Sequence, residues 1–127
     1  MQLLLDTHTL LWWLAGDARL GPQARERIGT DDARIFVSAV SSWEIAHKRA
    51  AGKIDAAWDI RAEVEEEGFL ELAIDLEHTI VAAELPKLHA DPFDRILVAQ
   101  AQTEGLWLVT ADAAIKRYDV PWLDAGV

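Results

Sequence analysis

Cysteine is absent from the 127-residue chain. That excludes disulfide frameworks, thiol nucleophiles, and zinc or iron–sulfur centres held by thiolates. Long apolar runs are missing as well: the longest, Leu10 to Ala15, falls far short of the roughly 20 residues a membrane-spanning helix needs. Met1-Gln2-Leu3-Leu4-Leu5 has no basic leader and meets Asp6 at once, which is not the pattern of a secretion signal. There is no internal repeat and no Gly-, Ser- or Pro-rich linker. The expectation is a soluble, cytoplasmic protein. Basic residues are also scarce, with 12 Lys and Arg against 22 Asp and Glu, a net charge of −10. Bulk charge of that sign does not attract a phosphate polymer. A nucleic-acid function would therefore need a metal ion or a local basic patch to reverse the sign.

What remains is ample material for a core, since 51% of residues are hydrophobic. The length suits one compact domain spanning residues 1–127. Short apolar strands alternate with helical stretches. Leu3-Leu4-Leu5 reads as a buried strand that ends at Asp6-Thr7, and Leu10–Ala15 as a helix closed near Gly16. A second helix follows Gly21-Pro22, with proline in its first turn. Ile35-Phe36-Val37 is the next strand, Ser41 to Ala51 a helix stopped by Gly52, and Ala57 to Glu67 another stopped by Gly68. A short strand lies within Phe69–Ile74. Asp75 caps a helix that Pro86 ends, and Pro92 to Thr103 forms a strongly apolar helix. Leu106–Val109 is a strand, Asp112 opens a last short helix, and Val120–Leu123 adds an edge strand. Strands separated by helices imply parallel pairing, hence an α/β fold: a three-layer α/β/α sandwich on a mainly parallel sheet.

Four acids hold comparable places in this scheme. Asp6 follows the first strand, and Asp112 comes shortly after Val109. Glu44 and Asp94 sit in the first turns of their helices. In a parallel sheet the helix starts share an edge with the strand ends, so all four project from the carboxyl edge, where open α/β folds bind ligands. Four clustered carboxylates repel one another, and a divalent cation resolves that conflict. Hard oxygen donors point to Mg²⁺ or Mn²⁺ rather than zinc, and to metal-assisted phosphodiester hydrolysis. Each acid also has a plain structural reading. Ser41 with Glu44 spells a capping box, Asp91-Pro92-Phe93-Asp94 a helix start, and Asp6 and Asp112 are possible N-caps.

Other residues carry weaker signals. The hydroxyls of Thr7 and Thr110 are placed to orient a ligand carboxylate or a water, or simply to cap backbone. His8, His47, His78 and His89 are dispersed and read as surface or capping residues. Lys48, Arg49 and Lys53 follow Glu44 and are the best candidates for an RNA backbone contact, unless they form a solvated helix end. Arg95 beside Asp94 is placed either to steer a phosphate or to form a surface ion pair. Leu10–Ala15 is apolar all round, which makes Trp12 and Trp13 candidates for a partner contact.

Four stretches together resemble the PIN-domain nucleases, most closely the VapC-like toxins of type II toxin–antitoxin modules. They are Leu4-Leu5-Asp6-Thr7-His8; Val37 through Ile45 with Ser41-Ser42-Trp43-Glu44; Asp91-Pro92-Phe93-Asp94-Arg95 with Val98-Ala99-Gln100-Ala101; and Leu108-Val109-Thr110-Ala111-Asp112. They occur in the family's order and cover essentially the whole chain. The resemblance implies a PIN-like fold and an Mg²⁺- or Mn²⁺-dependent endoribonuclease. It carries the metal and catalytic set onto Asp6, Glu44, Asp94 and Asp112, with Thr110 as a hydroxyl helper. It also implies a homodimer neutralised by a small antitoxin protein that lies over the acidic pocket. Two other readings stand beside it. A non-catalytic PIN-like binding module would be expected to lose one of the four acids, and none is missing. An aspartate-dependent phosphoryl-transfer domain of the haloacid dehalogenase type needs a second aspartate two residues after the first, where this chain has His8.

Overall fold

Leu3, Leu4 and Leu5 offer no polar face to water, so a strand built from them must be covered on both sides. In the computed structural model, which describes residues 1–55 and 57–127, they form β1 (Gln2–Leu5) at the centre of a five-stranded sheet. β2 (Arg34–Ser38) and β4 (Trp107–Thr110) flank it; β3 (Leu70–Leu72) and β5 (Trp122–Asp124) are the edges, in the order β3-β2-β1-β4-β5. Every pairing is parallel, so the sheet expected to be mainly parallel is wholly so.

Side chains along β1 alternate between two cores, as a period of two requires. Leu3 and Leu5 join Ile35, Val37 and Val109 under α1 (Thr7–Ala15), α2 (Pro22–Gly29) and Ile45 of α3 (Ala39–Ala50). The half-buried Ile60 and Val64 of α4 (Ile60–Glu67) pack against the same core. Leu4 and Leu108 face the other way, onto Leu97, Val98 and Ala101 of α6 (Pro92–Glu104). α5 (Leu76–Glu84) lies against α6, and Leu85 just after it enters this second core. The result is the expected three-layer sandwich. Each fully buried leucine contributes about 1.5–3 kcal/mol of transfer free energy. Among the described residues, no helix is long and apolar enough to cross a membrane.

Several boundaries move from their sequence positions. α1 starts at Thr7, as the helix-opening pair Asp6-Thr7 suggests and ahead of the apolar Leu10–Ala15 run, because Asp6 accepts the Thr9 N–H and caps the helix directly after the strand. α4 starts at Ile60 rather than Ala57, with Asp59 as its cap, and β3 is only three residues long. Asp112 opens no α-helix; its backbone carbonyl accepts from Lys116, and only a single 3-10 turn, Ile115–Arg117, follows. α6 ends as expected at Gly105, whose φ of 66° lies in the left-handed region that glycine adopts without strain.

Candidate active site

Parallel register sets the site. Leu5 pairs with both Val37 and Val109, so the next residues, Asp6, Ser38 and Thr110, emerge side by side at the carboxyl edge. Asp6 is buried there and held by two threonines: Thr9 donates its backbone N–H at 2.8 Å, and the Thr110 hydroxyl donates at 2.6 Å. Burial pushes the Asp6 carboxyl above its usual range, and the bonds from Thr110 and Thr9 oppose that rise. The Asp112 N–H donates to the same Thr110 hydroxyl at 3.0 Å, which ties the two aspartates together.

Ser38, not Ser41, caps α3, accepting the Val40 N–H at 3.0 Å. The expected capping box therefore does not form, and Glu44 lies in the second turn, not the first. Its side chain is almost wholly buried, facing inward to the sheet edge. The Thr7 hydroxyl donates to Glu44 Oε1 at 2.6 Å and lies 3.0 Å from the Ser41 hydroxyl. Lys48, one turn on, donates to Glu44 Oε2. Burial works to lower the Lys48 ammonium, but the hydrogen bond and charge of Glu44, with Asp91 and Asp94 beyond, hold it above the usual lysine range. The expected phosphate ligand Lys48 is thus already paired with a candidate metal ligand.

Asp91 caps α6 by accepting from the Phe93 and Asp94 N–H groups, as the sequence suggested. This points Asp94 into the same pocket. Burial first, then the charges of Asp91 and Glu44, push its carboxyl up to about 7, against the pull of a hydrogen bond with His89. His89 Nε2 lies 2.8 Å from Asp94 Oδ2 and 3.5 Å from Asp112 Oδ2. One donor atom from each of His89, Asp94 and Asp112 falls within 4.8 Å of the others. His89, expected to be a surface or capping residue, is instead part of the acidic centre. Its position in a loop five residues before Asp94 left no periodic signal for it.

Asp6, Glu44, Asp94 and Asp112 therefore gather at one edge, with Thr7, Ser41, Thr110 and His89 around them. Hard oxygen donors fit a divalent cation. The raised Asp94 carboxyl reflects burial first and then the charges of Asp91 and Glu44, a repulsion that such a cation would relieve. A second group, Asp75, His78 and Glu104, lies within ligand reach too. There His78 and Asp75 exchange both bonds of the capping box that starts α5, which matches the capping role expected of His78.

The remaining candidates separate. Among the described residues Arg95 makes no ion pair: its guanidinium donates to the carbonyls of Ala82, Leu85 and Pro86 and to the Tyr118 hydroxyl. It closes the C-terminal end of α5. Lys53 is exposed and, with His47 and Lys48, lines a cleft of about 360 Å³ bounded by Ala90–Phe93. Arg49 is exposed in the last turn of α3. Trp12 and Trp13 are half-buried against the first core, where Trp13 donates to Glu67 at 3.1 Å and Arg19 lies over Trp12. The chain's own residues thus cover much of a helix that looked in need of a partner. The most exposed tryptophan is Trp43, at 63%, ahead of Trp107 and Trp122.

A wholly parallel α/β/α sandwich with an acidic centre at the carboxyl edge of its sheet defines the class. Residues 3–121 match the model of the PIN domain, and the chain belongs to this family. It is 30% identical over 121 residues to Ribonuclease VapC22 of Mycobacterium tuberculosis, covering 93% of this chain and 92% of that protein. Its fold is similar to VapBC2 from Rickettsia felis bound to a DNA fragment from their promoter, at a TM-score of 0.72 and 13% identity over 97% of this chain and 98% of that one. DNA-bound VapBC from Salmonella typhimurium matches at a TM-score of 0.68 with 19% identity, over 98% of both chains.

Proposed function

We propose that the chain is a divalent-metal-dependent endoribonuclease that hydrolyses RNA phosphodiester bonds as the toxin of a toxin–antitoxin pair. The observation that carries this reading is the convergence of four acids at one sheet edge: Asp6 and Glu44 are buried, their charges help raise the Asp94 carboxyl, and Asp94 and Asp112 lie within ligand reach of one another. Kinship with a ribonuclease narrows the phosphodiester to RNA. Likeness to toxin–antitoxin complexes supports an antitoxin partner.

On this reading Asp6, Asp94 and Asp112 hold Mg²⁺ or Mn²⁺, and Glu44 either holds it or orients the attacking water. The cation, when bound, polarises a phosphoryl oxygen and stabilises the charge developing in the transition state. Thr110 fixes the rotamer of Asp6, and Thr7 that of Glu44, so the donors are set before substrate arrives. His89 keeps Asp94 turned toward Asp112. Lys53 offers a phosphate contact beside the site, with Lys48 and Arg49 adding positive charge. A homodimer and a cytoplasmic location complete the proposal.

The deciding experiment is cleavage of labelled single-stranded RNA by antitoxin-free protein, with Mn²⁺ or Mg²⁺ against EDTA, alongside Asp6→Asn. Metal-dependent cleavage that disappears in the variant is the expected result. Metal-independent cleavage, or equal cleavage by the variant, would refute the assignment.

A further inference from the structure

Trp43 is the most exposed of the six tryptophans and lies on α3 next in sequence to the buried Glu44. It directly precedes Glu44 on α3, and its ring meets that of Phe93, which directly precedes Asp94 on α6. The two rings form a T-shaped contact with centroids 5.1 Å apart, inclined at 75°. His47, one turn further along α3, lies 6.0 Å from the same Phe93 ring. Of these rings His47 and Phe93 line the cleft with Lys48 and Lys53, and Trp43 stands beside it on the far side of Phe93. Asp91 is the one acid lining that cleft, and its carboxylate caps α6. Among the described residues Lys53 has no carboxylate partner.

An exposed indole costs solvation free energy, and the Phe93 contact pins it without covering it. A protein of net charge −10 that places lysines beside a pinned aromatic has the two elements that single-stranded nucleic acid requires: cations for the backbone and a π-face for a base. A paired duplex buries its base faces in its own stack, so it cannot use the second element.

We propose that Trp43 is a base-stacking platform, which takes an unstacked base of single-stranded RNA next to the scissile phosphate while Lys53 holds the backbone in the cleft. This rests on the ribonuclease reading and adds to it the residue that positions a base beside the cleaved bond, by stacking and so with tolerance of base identity. Trp43 is a positioning residue, and its substitution acts on substrate binding.

The test measures binding of a fluorescein-labelled pool of short random oligoribonucleotides, by anisotropy in Mg²⁺. It uses the Asp6→Asn background so that strands stay whole. Three probes are compared: the single strands, the same strands annealed into duplexes, and abasic ribose-phosphate strands. Adding Trp43→Leu should weaken single-strand binding about 5- to 100-fold, the usual worth of one stacked base. Duplex and abasic binding should stay unchanged, and Trp43→Tyr should restore most of the affinity. Lys53→Ala should instead weaken all three probes and reduce the salt slope by about one phosphate contact. Unchanged thermal melting of Trp43→Leu confirms that the fold is intact.

Equal affinity of Trp43→Leu for single strands, or equal losses on the abasic strand, overturns the platform while leaving the nuclease reading in place. A Trp43→Leu change confined to self-association, or to binding of a protein partner, overturns it in favour of a protein interface. If neither the Asp6→Asn protein nor the parent protein in Ca²⁺, a hard cation for the same oxygen donors, binds any of the three probes, the RNA reading falls, and the platform with it.

Discussion

Replacing Asp94 with asparagine should make the metal-free protein more stable while destroying its activity. In the folded chain burial, Asp91 and Glu44 raise the Asp94 carboxyl from 3.8 to about 7. The unfolded chain releases that proton near pH 4, while the folded protein retains it until about pH 7. A group raised in this way leaves stability intact at low pH and erodes it as the pH climbs through this window. The whole rise corresponds to at most about 4 kcal/mol. Asp91 and Glu44 share the repulsion, so the gain from removing one charge is smaller. We expect Asp94→Asn to exceed the parent by about 1–3 kcal/mol at pH 8 and to match it near pH 4. The amide keeps a polar partner for His89, so no buried donor is orphaned. Urea unfolding of both proteins in EDTA, at intervals from pH 4 to 8, measures the difference. Adding Mn²⁺ should then stabilise the parent and leave the variant unmoved, reversing their order. A variant less stable than the parent at pH 8, or a pH-independent gap between them, would refute the claim that these carboxylates crowd one another.

Two further changes test the assignments of threonine and arginine. Thr110→Val removes the hydroxyl that fixes Asp6 at 2.6 Å and accepts the Asp112 N–H; cleavage by the folded protein should fall about 10- to 100-fold, the usual effect of losing such an outer partner, with a stability loss of about 1–3 kcal/mol. Full activity in that variant would make the hydroxyl a bystander. Arg95→Ala strips partners from the Ala82, Leu85 and Pro86 carbonyls, so chemical denaturation should show a loss of about 1–3 kcal/mol. RNA affinity at constant fold should not change; a drop there would return Arg95 to the phosphate path.

The fold was legible where a strand announces itself twice, by an apolar run and by the helix start that ends it. Leu3–Leu5 followed by Asp6-Thr7 is enough to place a carboxylate at the sheet's carboxyl edge; Asp112, which opens no α-helix, was placed only by its nearness to the end of the Leu106–Val109 run. Glu44 was placed correctly for an incorrect local reason. Both Ser38 and Ser41 can cap a helix, and the choice is made by the register of β2 against β1, a long-range property. His89 was illegible because a loop's path depends on what its ends pack against, not on any periodicity within it. Arg95 failed likewise, since its carbonyl partners belong to a helix that meets α6 only in the folded chain. The Leu10–Ala15 run suggested a partner because composition cannot tell an exposed tryptophan from one tucked beneath Glu67 and Phe69.

The charge that first argued against nucleic acid turns out to be arranged rather than merely large. Around the pocket stand five carboxyl groups, those of Asp6, Glu44, Asp91, Asp94 and Asp112, against one lysine and one histidine in direct contact with them. Asp6 is steadied by donors that carry no charge, so its burden is oriented but not neutralised. Full ionisation of this set therefore leaves an excess of negative charge that one divalent cation offsets only in part. Metal-free, the pocket repels a phosphate; with that repulsion reduced, the lysine-lined cleft beside it weighs more in the local field. On the proposed reading, metal and RNA must then bind with positive coupling, each strengthening the other. The acidic bulk charge limits binding elsewhere on the surface, so the strand is confined to the one edge where the acids converge.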